Sequence, residues 1–115
     1  MIRVKRVYEP PAKSDGARFL AERLWPRGLK KESLKLEAWL REVAPGTALR
    51  KWFHHEPAKW REFQRRYRAE LDRHPETWRP IVEAARKGTV TLLFSSRNAG
   101  CNNVVALKAY LDERL

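Results

Sequence analysis

The segment Val90–Phe94 constrains the fold more than any other part of the chain, because its five residues, VTLLF, are almost all apolar. A run of this kind is typical of a central strand that is covered on both faces. A polar break at residues 95–103 follows directly, and an apolar stripe with helical spacing then runs from Val104 to Leu115. The chain is therefore predicted to close with a strand, a loop and a helix.

Two further strands are predicted near the start of the chain. Residues 2–8 alternate in polarity and include β-branched side chains, and the residues from Arg18 to Trp25 form the second predicted strand. The turn-rich loop PPAKSDG at residues 10–16 separates them. So short a connection cannot hold the crossover of a dozen or more residues that parallel neighbours need. We therefore expect these two strands to be antiparallel if they pair directly.

The middle of the chain is predicted to be mostly helical. A helix with an inward stripe begins near Pro57, and a second runs from Pro75 to Gly88. Thr47 is predicted to cap a shorter helix that buries apolar side chains. Residues 33–44 fit both helical and strand spacing, so their structure stays open. The inward stripe of the first helix comprises Trp60, Phe63, Tyr67 and Leu71.

Length and composition indicate one α/β domain spanning residues 1–115, with a small mixed β-sheet covered by helices. No stretch approaches the ~18 apolar residues of a membrane span, and the charged amino terminus contains no apolar signal region. We expect a cytoplasmic protein without a membrane partner. A single cysteine excludes an internal disulfide, and no His/Cys spacing indicates a metal site. The sequence indicates no particular cofactor and leaves the oligomeric state open.

The chain is strongly basic, with 25 lysines and arginines against 14 acidic residues and a formal net charge of +11. Such a charge favours anionic partners, including phosphorylated small molecules and nucleic acid. The alternative is that the arginines simply coat a solvated surface.

The polar break at residues 95–103 is a candidate anion site, because it joins a strand to a helix amino terminus. Arg97 supplies a fork-shaped cation, and Gly100 permits a close backbone approach. In the alternative reading, Asn98 or Asn102 caps the helix and the serines are turn residues. The short hydrogen-bonding side chains are those of Ser95, Ser96, Asn98, Asn102 and Asn103.

Cys101 lies at the predicted start of this helix, where the helix dipole and Arg97 favour a thiolate. It is a weak candidate for a nucleophile, because no histidine lies near it in the sequence to act as a base. The alternative is a small buried side chain that fills space.

The motif RLWPRG at residues 23–28 is the second candidate site. Pro26 and Gly28 force a turn that brings Arg23 and Arg27 close to the Trp25 ring. Such a group is suited to clamping a phosphate and stacking on a base or sugar. The alternative is a corner that closes the core while the arginines pair with acids such as Glu22.

The motifs taken together resemble the YeaO-like family of uncharacterised proteins. The resemblance rests on RLWPRG at 23–28, AP at 44–45, LRKWFH at 49–54 and LLFSS at 92–96, and it covers nearly the whole chain. It implies an α/β domain and indicates no reaction. The chain departs from the expected pattern at Gly46, where serine is expected, and at Asn103, where histidine is expected. Asn103 lacks the proton-transfer chemistry of a histidine.

Three functions are consistent with these features. The first is binding of a phosphate-containing small ligand, nucleotide-like, at the carboxyl end of the sheet, with hydrolase or transferase activity left open. The second is a nucleic-acid-binding module that adds the basic face of residues 59–73. The third is an accessory protein for an acidic partner. Because ligand sites of α/β sheets lie beyond the strands' carboxyl ends, we expect residues 25–28 and 95–103 to share one pocket.

Overall fold

Four strands form the sheet, in the order β1-β4-β2-β3. The computed structural model describes residues 1–115. The apolar run forms an inner strand, as the sequence predicted, and all five of its residues are buried. Leu92 pairs with Val4 on one side and with Phe19 on the other. The strands are β1 Ile2–Arg6, β2 Ala17–Leu20, β3 Ala38–Trp39 and β4 Val90–Phe94.

Five α-helices accompany the sheet, and none of them is both long and apolar enough to cross a bilayer. They are α1 Lys31–Leu34, α2 Thr47–Phe53, α3 Trp60–Arg73, α4 Pro75–Lys87 and α5 Asn103–Asp112. The predicted inward stripe of α3 is buried at Phe63, Tyr67 and Leu71, while Trp60 is half-buried. The α/β class predicted from the sequence is thus confirmed.

The details of the sheet differ from the sequence-based expectation in two ways, and the structure also resolves the segment that the sequence left open. All its pairings are parallel rather than mixed, because β4 lies between β1 and β2 and these two strands never pair directly. The strand β2 ends at Leu20 and not at Trp25, since the chain turns away along the edge of the sheet. The open segment 33–44 contains the end of α1, the two-residue β3 and a 3₁₀ turn at Arg41–Val43.

The two faces of the sheet carry different connections. From β1 through β2 to β3 the chain moves across the sheet in one direction, and it then returns to β4 in the other. Because crossovers between parallel strands are right-handed, the return connection lies on the opposite face. We call the side packed by α2–α5 the helix face; its strand residues are Ile2, Val4, Phe19, Val90, Leu92 and Phe94.

The other side, which we call the loop face, carries Lys5, Arg18, Leu20, Thr91 and Leu93. No long helix packs on it. Val7 and Leu34 of the crossing segments 7–16 and 21–37 cover its two leucines.

Candidate functional site

A cleft of about 430 Å³ opens beyond the carboxyl ends of the strands. The neighbours β2 and β4 continue in opposite directions there, because β2 leads onto the loop face and β4 leads into α5 on the helix face. Such a switch point leaves a crevice in parallel sheets. The first polar side chains beyond these strands, Glu22 after β2 and Ser95 after β4, both line it. Tyr8, which follows β1, lines its edge.

The apolar part of the cleft wall is mostly aromatic or formed by proline. The buried rings of Phe53 from α2 and Phe63 from α3 stack with their centroids 4.3 Å apart. Trp25 is held rigidly, since its indole N–H donates to the Leu29 carbonyl at 2.7 Å and its ring meets Trp39 edge to face at 5.2 Å. Pro26 and Pro45 complete these walls.

Glu22 is a half-buried carboxylate inside the cleft. Its Oε1 accepts hydrogen bonds from the Ser95 backbone N–H at 3.1 Å and from the Ser95 hydroxyl at 3.4 Å. Burial raises the pKa of Glu22 above its usual value, while the Ser95 hydrogen bonds and the Arg50 charge act in the opposite direction. The sequence alone indicated Glu22 only as a partner for the arginines. The position of the true end of β2 at Leu20 is the signal that would have identified it.

The arginines of the RLWPRG motif have different surroundings. Arg23 donates to the carbonyl groups of Ala44 and Pro45, each at 3.2 Å, and pairs with Glu42 rather than with Glu22. It therefore ties the 44–45 segment to the cleft wall. Arg27 lines the cleft with an exposed side chain, and its backbone carbonyl accepts a hydrogen bond from the Tyr8 hydroxyl at 3.2 Å.

Gly28 does not line the cleft, but it has a φ of 79°. This left-handed conformation favours glycine, so the residue makes the turn that presents Arg27.

The end of α2 and the residues after it contribute two cleft residues that were not predicted from the sequence. Arg50 and His55 both line the cleft and are exposed. His54 and His55 have φ values of 44° and 55°, a left-handed conformation that is uncommon for residues other than glycine. This backbone places the His55 ring 6.1 Å from that of Phe53. The LRKWFH motif at 49–54 marked this region, but only its fold showed that it faces the cleft.

The loop at residues 95–103 is largely occupied with its own hydrogen bonds. Asn102 caps α5, because its side-chain oxygen accepts from the Val104 and Val105 amides at 2.9 and 3.0 Å. The Asn98 side chain accepts from the backbone N–H groups of Gly100 and Cys101, each at 2.9 Å. These are the capping and turn roles that the sequence left open as alternatives to ligand binding.

The structure places some of the predicted site residues together and leaves others outside. Those that line the cleft are Arg23, Trp25, Arg27, Ser95, Ser96 and Asn103. Asn103 donates from its side-chain amide to the Ala21 carbonyl at 3.0 Å. Those outside the lining are Gly28, Arg97, Asn98, Asn102 and the weak nucleophile candidate Cys101.

No group of three His, Cys, Asp or Glu side chains is arranged to hold a metal ion. The main features of the cleft are its aromatic walls, its exposed arginines and the Glu22 carboxylate.

Comparison with known proteins places the chain in a family. The Uncharacterized protein YeaO of Escherichia coli is 43% identical over 110 residues, which are 96% of either chain. The Uncharacterized protein Rv3073c of Mycobacterium tuberculosis is 33% identical over 113 residues, covering 98% of this chain and 95% of that protein. No solved structure matches this chain. Residues 1–115 match the family described as the inactive DUF488-N3 subclade. The resemblance to YeaO is thus confirmed, and the chain belongs to the inactive DUF488-N3 subclade.

Proposed function

We propose that the cleft binds a phosphate-containing small molecule of about nucleotide size. The observation that carries this proposal is the pairing of aromatic walls with two exposed arginines, Arg27 and Arg50, around one opening. Small-molecule sites are typically apolar clefts of about 300–1,000 Å³ with a few oriented polar groups. The cleft volume of about 430 Å³ falls in that range.

The charges around the cleft favour one orientation of such a ligand. Arg27 and Arg50 are exposed, whereas Glu22 is half-buried. A guanidinium group binds two phosphate oxygens with its planar fork of donors. A phosphate therefore fits the outer part of the cleft, where it meets the arginines and is kept away from the Glu22 carboxylate. The planar part of the ligand is then left for the apolar part of the cleft, which Trp25 and Phe53 line.

Binding without turnover is supported by the residues around the cleft. Asn103 occupies the position where the resemblance led us to expect histidine, and its amide is already bonded to the Ala21 carbonyl. Cys101 does not line the cleft. The description of the family as inactive points the same way. We therefore favour a binding domain over a hydrolase or transferase.

The proposal is tested by titrating the full chain with AMP, adenosine and inorganic phosphate in isothermal calorimetry. We expect AMP to bind more tightly than adenosine, and Arg27→Ala and Arg50→Ala each to weaken AMP about 10-fold or more, as expected for a lost charged hydrogen bond. Arg61→Ala is the matched control, because Arg61 is an exposed arginine of α3 outside the cleft lining. Equal losses in all three variants would contradict the proposal, since they would indicate a general charge effect.

The basic face of residues 59–73, on which a nucleic-acid-binding function would depend, is partly neutralised within the chain. Hydrogen bonds from Arg65 and Arg66 lower the pKa of Glu62 to about 2, and Arg68 pairs with Glu113. If nucleic acid is nevertheless the ligand, the affinity for a short duplex should fall steeply between ~50 and ~200 mM salt. Arg27→Ala should then have no larger effect than Arg61→Ala. An acidic partner protein is the remaining alternative if neither class of ligand binds.

A further inference from the structure

One oxygen of the Glu22 carboxylate accepts hydrogen bonds within the chain, and the other accepts none. Both Ser95 donors bond to Oε1. No group of the chain donates a hydrogen bond to Oε2. This oxygen is nevertheless not cut off from solvent, since the one buried side-chain atom without a hydrogen-bond partner is Nη2 of Arg18. Because Glu22 lines the cleft, this second oxygen is exposed to the cleft interior.

The Ser95 hydrogen bonds also fix the direction of the carboxylate. The backbone N–H of Ser95 lies directly after β4, the most buried strand of the sheet, so its position is set by the core. A carboxylate held in this way is preorganised to accept further hydrogen bonds, since the orientation of its free oxygen is already determined.

We propose that the open oxygen of Glu22 accepts hydrogen bonds from O–H or N–H groups of the ligand and thereby determines which phosphate compounds the cleft takes. This inference rests on the proposed function. It narrows the ligand class to phosphate monoesters that carry a hydrogen-bond donor at the end remote from the phosphate. Sugar hydroxyl groups and the amino group of a base are two sources of such donors.

Selectivity follows from what a ligand without donors leaves behind. A site built to bond a hydroxyl or amino group rejects an analogue that lacks it, because the buried polar group of the site is then left without a partner. Such an analogue would enclose the Glu22 charge with no hydrogen bond at Oε2. A donor-bearing ligand satisfies that oxygen while its phosphate meets Arg27 and Arg50.

The test compares three phosphate monoesters on the full chain by calorimetry: AMP, ribose 5-phosphate and phenyl phosphate. Phenyl phosphate has an aromatic ring but no O–H or N–H donor remote from its phosphate. For Glu22→Gln we expect AMP to bind about 10- to 100-fold more weakly, the range for a lost hydrogen bond to a charged acceptor. Phenyl phosphate should bind equally well or better, because the substitution removes a negative charge from the cleft.

The ligand panel also separates the two sources of donors. If ribose 5-phosphate loses affinity along with AMP, the sugar hydroxyl groups contact Glu22. If only AMP loses affinity, the base amino group does so. Glu83→Gln is the matched control, because Glu83 is an exposed glutamate of α4 outside the cleft lining, and it should change none of the three affinities.

Two outcomes would overturn the inference. An equal loss for all three ligands in Glu22→Gln would show that the substitution alters the cleft as a whole rather than a contact to one ligand donor, and the proposed function would survive that result. Absence of binding by every ligand to the unmodified chain would remove the proposed function and the inference with it. Glu22→Asp provides a second variant should Glu22→Gln fold poorly. The shorter side chain retains the charge but moves the acceptor oxygen away from the ligand. It should therefore weaken the binding of AMP more than that of phenyl phosphate.

Discussion

The helix face and the loop face belong to one four-stranded sheet, yet different forces hold them. On the helix face, apolar strand side chains such as Phe19 and Leu92 pack against four helices in one continuous core. On the loop face, a smaller apolar cluster surrounds Leu20 and Leu93, and the side chains of Lys5, Arg18 and Thr91 make polar contacts beside it. The same backbone thus supports one face by burial and the other by directed polar contacts.

Asp15 is the centre of the polar contacts on the loop face. Its carboxylate, almost fully buried, pairs with Arg18 Nη1 at 2.5 Å and with Lys5 Nζ at 3.1 Å, and accepts a hydrogen bond from the Ala12 amide at 3.0 Å. Its backbone carbonyl accepts from the Thr91 hydroxyl at 2.7 Å. One residue of the first crossing segment therefore contacts β1, β2 and β4.

The comparison shows why a chain can cover a sheet without a long helix. Apolar burial is non-directional and needs a broad partner such as an amphipathic helix. Charged hydrogen bonds need only a few atoms in the right places, so a short irregular segment suffices. The cost is that each contact depends on its partner: Arg18 is buried, and its Nη2 has no hydrogen-bond partner within the chain even with Asp15 in place.

The largest expected effect is therefore that of Asp15→Ala. Removing one partner of a buried ion pair leaves the other charge uncompensated, and we expect a loss of about 3–5 kcal/mol in the free energy of unfolding. Urea denaturation at pH 7 measures it. In the double variant with Arg18→Met, much of this loss should be recovered, because the buried charge is removed as well. Equal stability of the single and double variants would contradict the role given to the pair.

Acid titration sharpens the same comparison. Burial alone would raise the pKa of Asp15, but hydrogen bonds from Ala12, Lys5 and Arg18 outweigh it and lower the pKa below its usual value of 3.8. The stability from this carboxylate is thus present above pH 3.8 and is lost as the pH falls through the lowered pKa. The difference between Asp15→Ala and the unmodified chain should shrink on acidification. The loss in Leu92→Ala, on the helix face, should not.

The helix face is also the part that the sequence predicted best. The spacing of Phe63, Tyr67 and Leu71 and the apolar run of β4 indicate burial directly, since both depend on neighbours along the chain. The parallel order of the strands was not predictable in this way. It depends on β4 pairing between β1 and β2, although β4 follows them by more than 60 residues in the chain. No local sequence pattern indicates which strands pair over such a separation.

The cleft residues likewise fall into those that the sequence indicated and those that it did not. Trp25, Arg27, Ser95 and Asn103 lie in short motifs of turn and polar residues, which mark them in the sequence. Glu22 was missed because the predicted strand ran past it to Trp25. The contributions of Arg50 and His55 depend on how α2 packs against α3, so they follow from tertiary packing and not from the motif itself.

An intermediate effect is expected at Asn102, where the helix face meets the cleft. Asn102→Ala removes the cap of α5, and loss of such a cap typically costs about 0.5–2 kcal/mol. The expected readout is a lower midpoint of thermal unfolding with unchanged affinity for AMP, because Asn102 is buried and does not line the cleft. Asn102→Asp should restore most of the stability. A loss of AMP affinity without a loss of stability would show instead that Asn102 takes part in binding, as the sequence predicted.

The smallest expected effect concerns Glu22, whose carboxylate responds to pH in the opposite sense to Asp15. Burial raises the pKa of Glu22 above its usual value of 4.5. The carboxyl is therefore most compatible with the fold when protonated, below pH 4.5, and its charge destabilises the fold as the pH rises through the raised pKa. Glu22→Gln removes that charge, and its amide oxygen still accepts the Ser95 hydrogen bond.

We therefore expect Glu22→Gln to gain less than about 1 kcal/mol in the free energy of unfolding at pH 7, and the gain to disappear as the pH falls below 4.5. Urea denaturation at pH 7 and pH 4 measures both values, with Glu83→Gln as the exposed control. A variant that is more stable yet binds AMP more weakly would show that the cleft retains a costly charge because its ligand uses it. A stability loss at pH 7 would mean instead that the favourable interactions of the Glu22 charge with the Ser95 donors and with Arg50 outweigh its burial, and Glu22 would then belong with Asp15 among the residues that hold the fold.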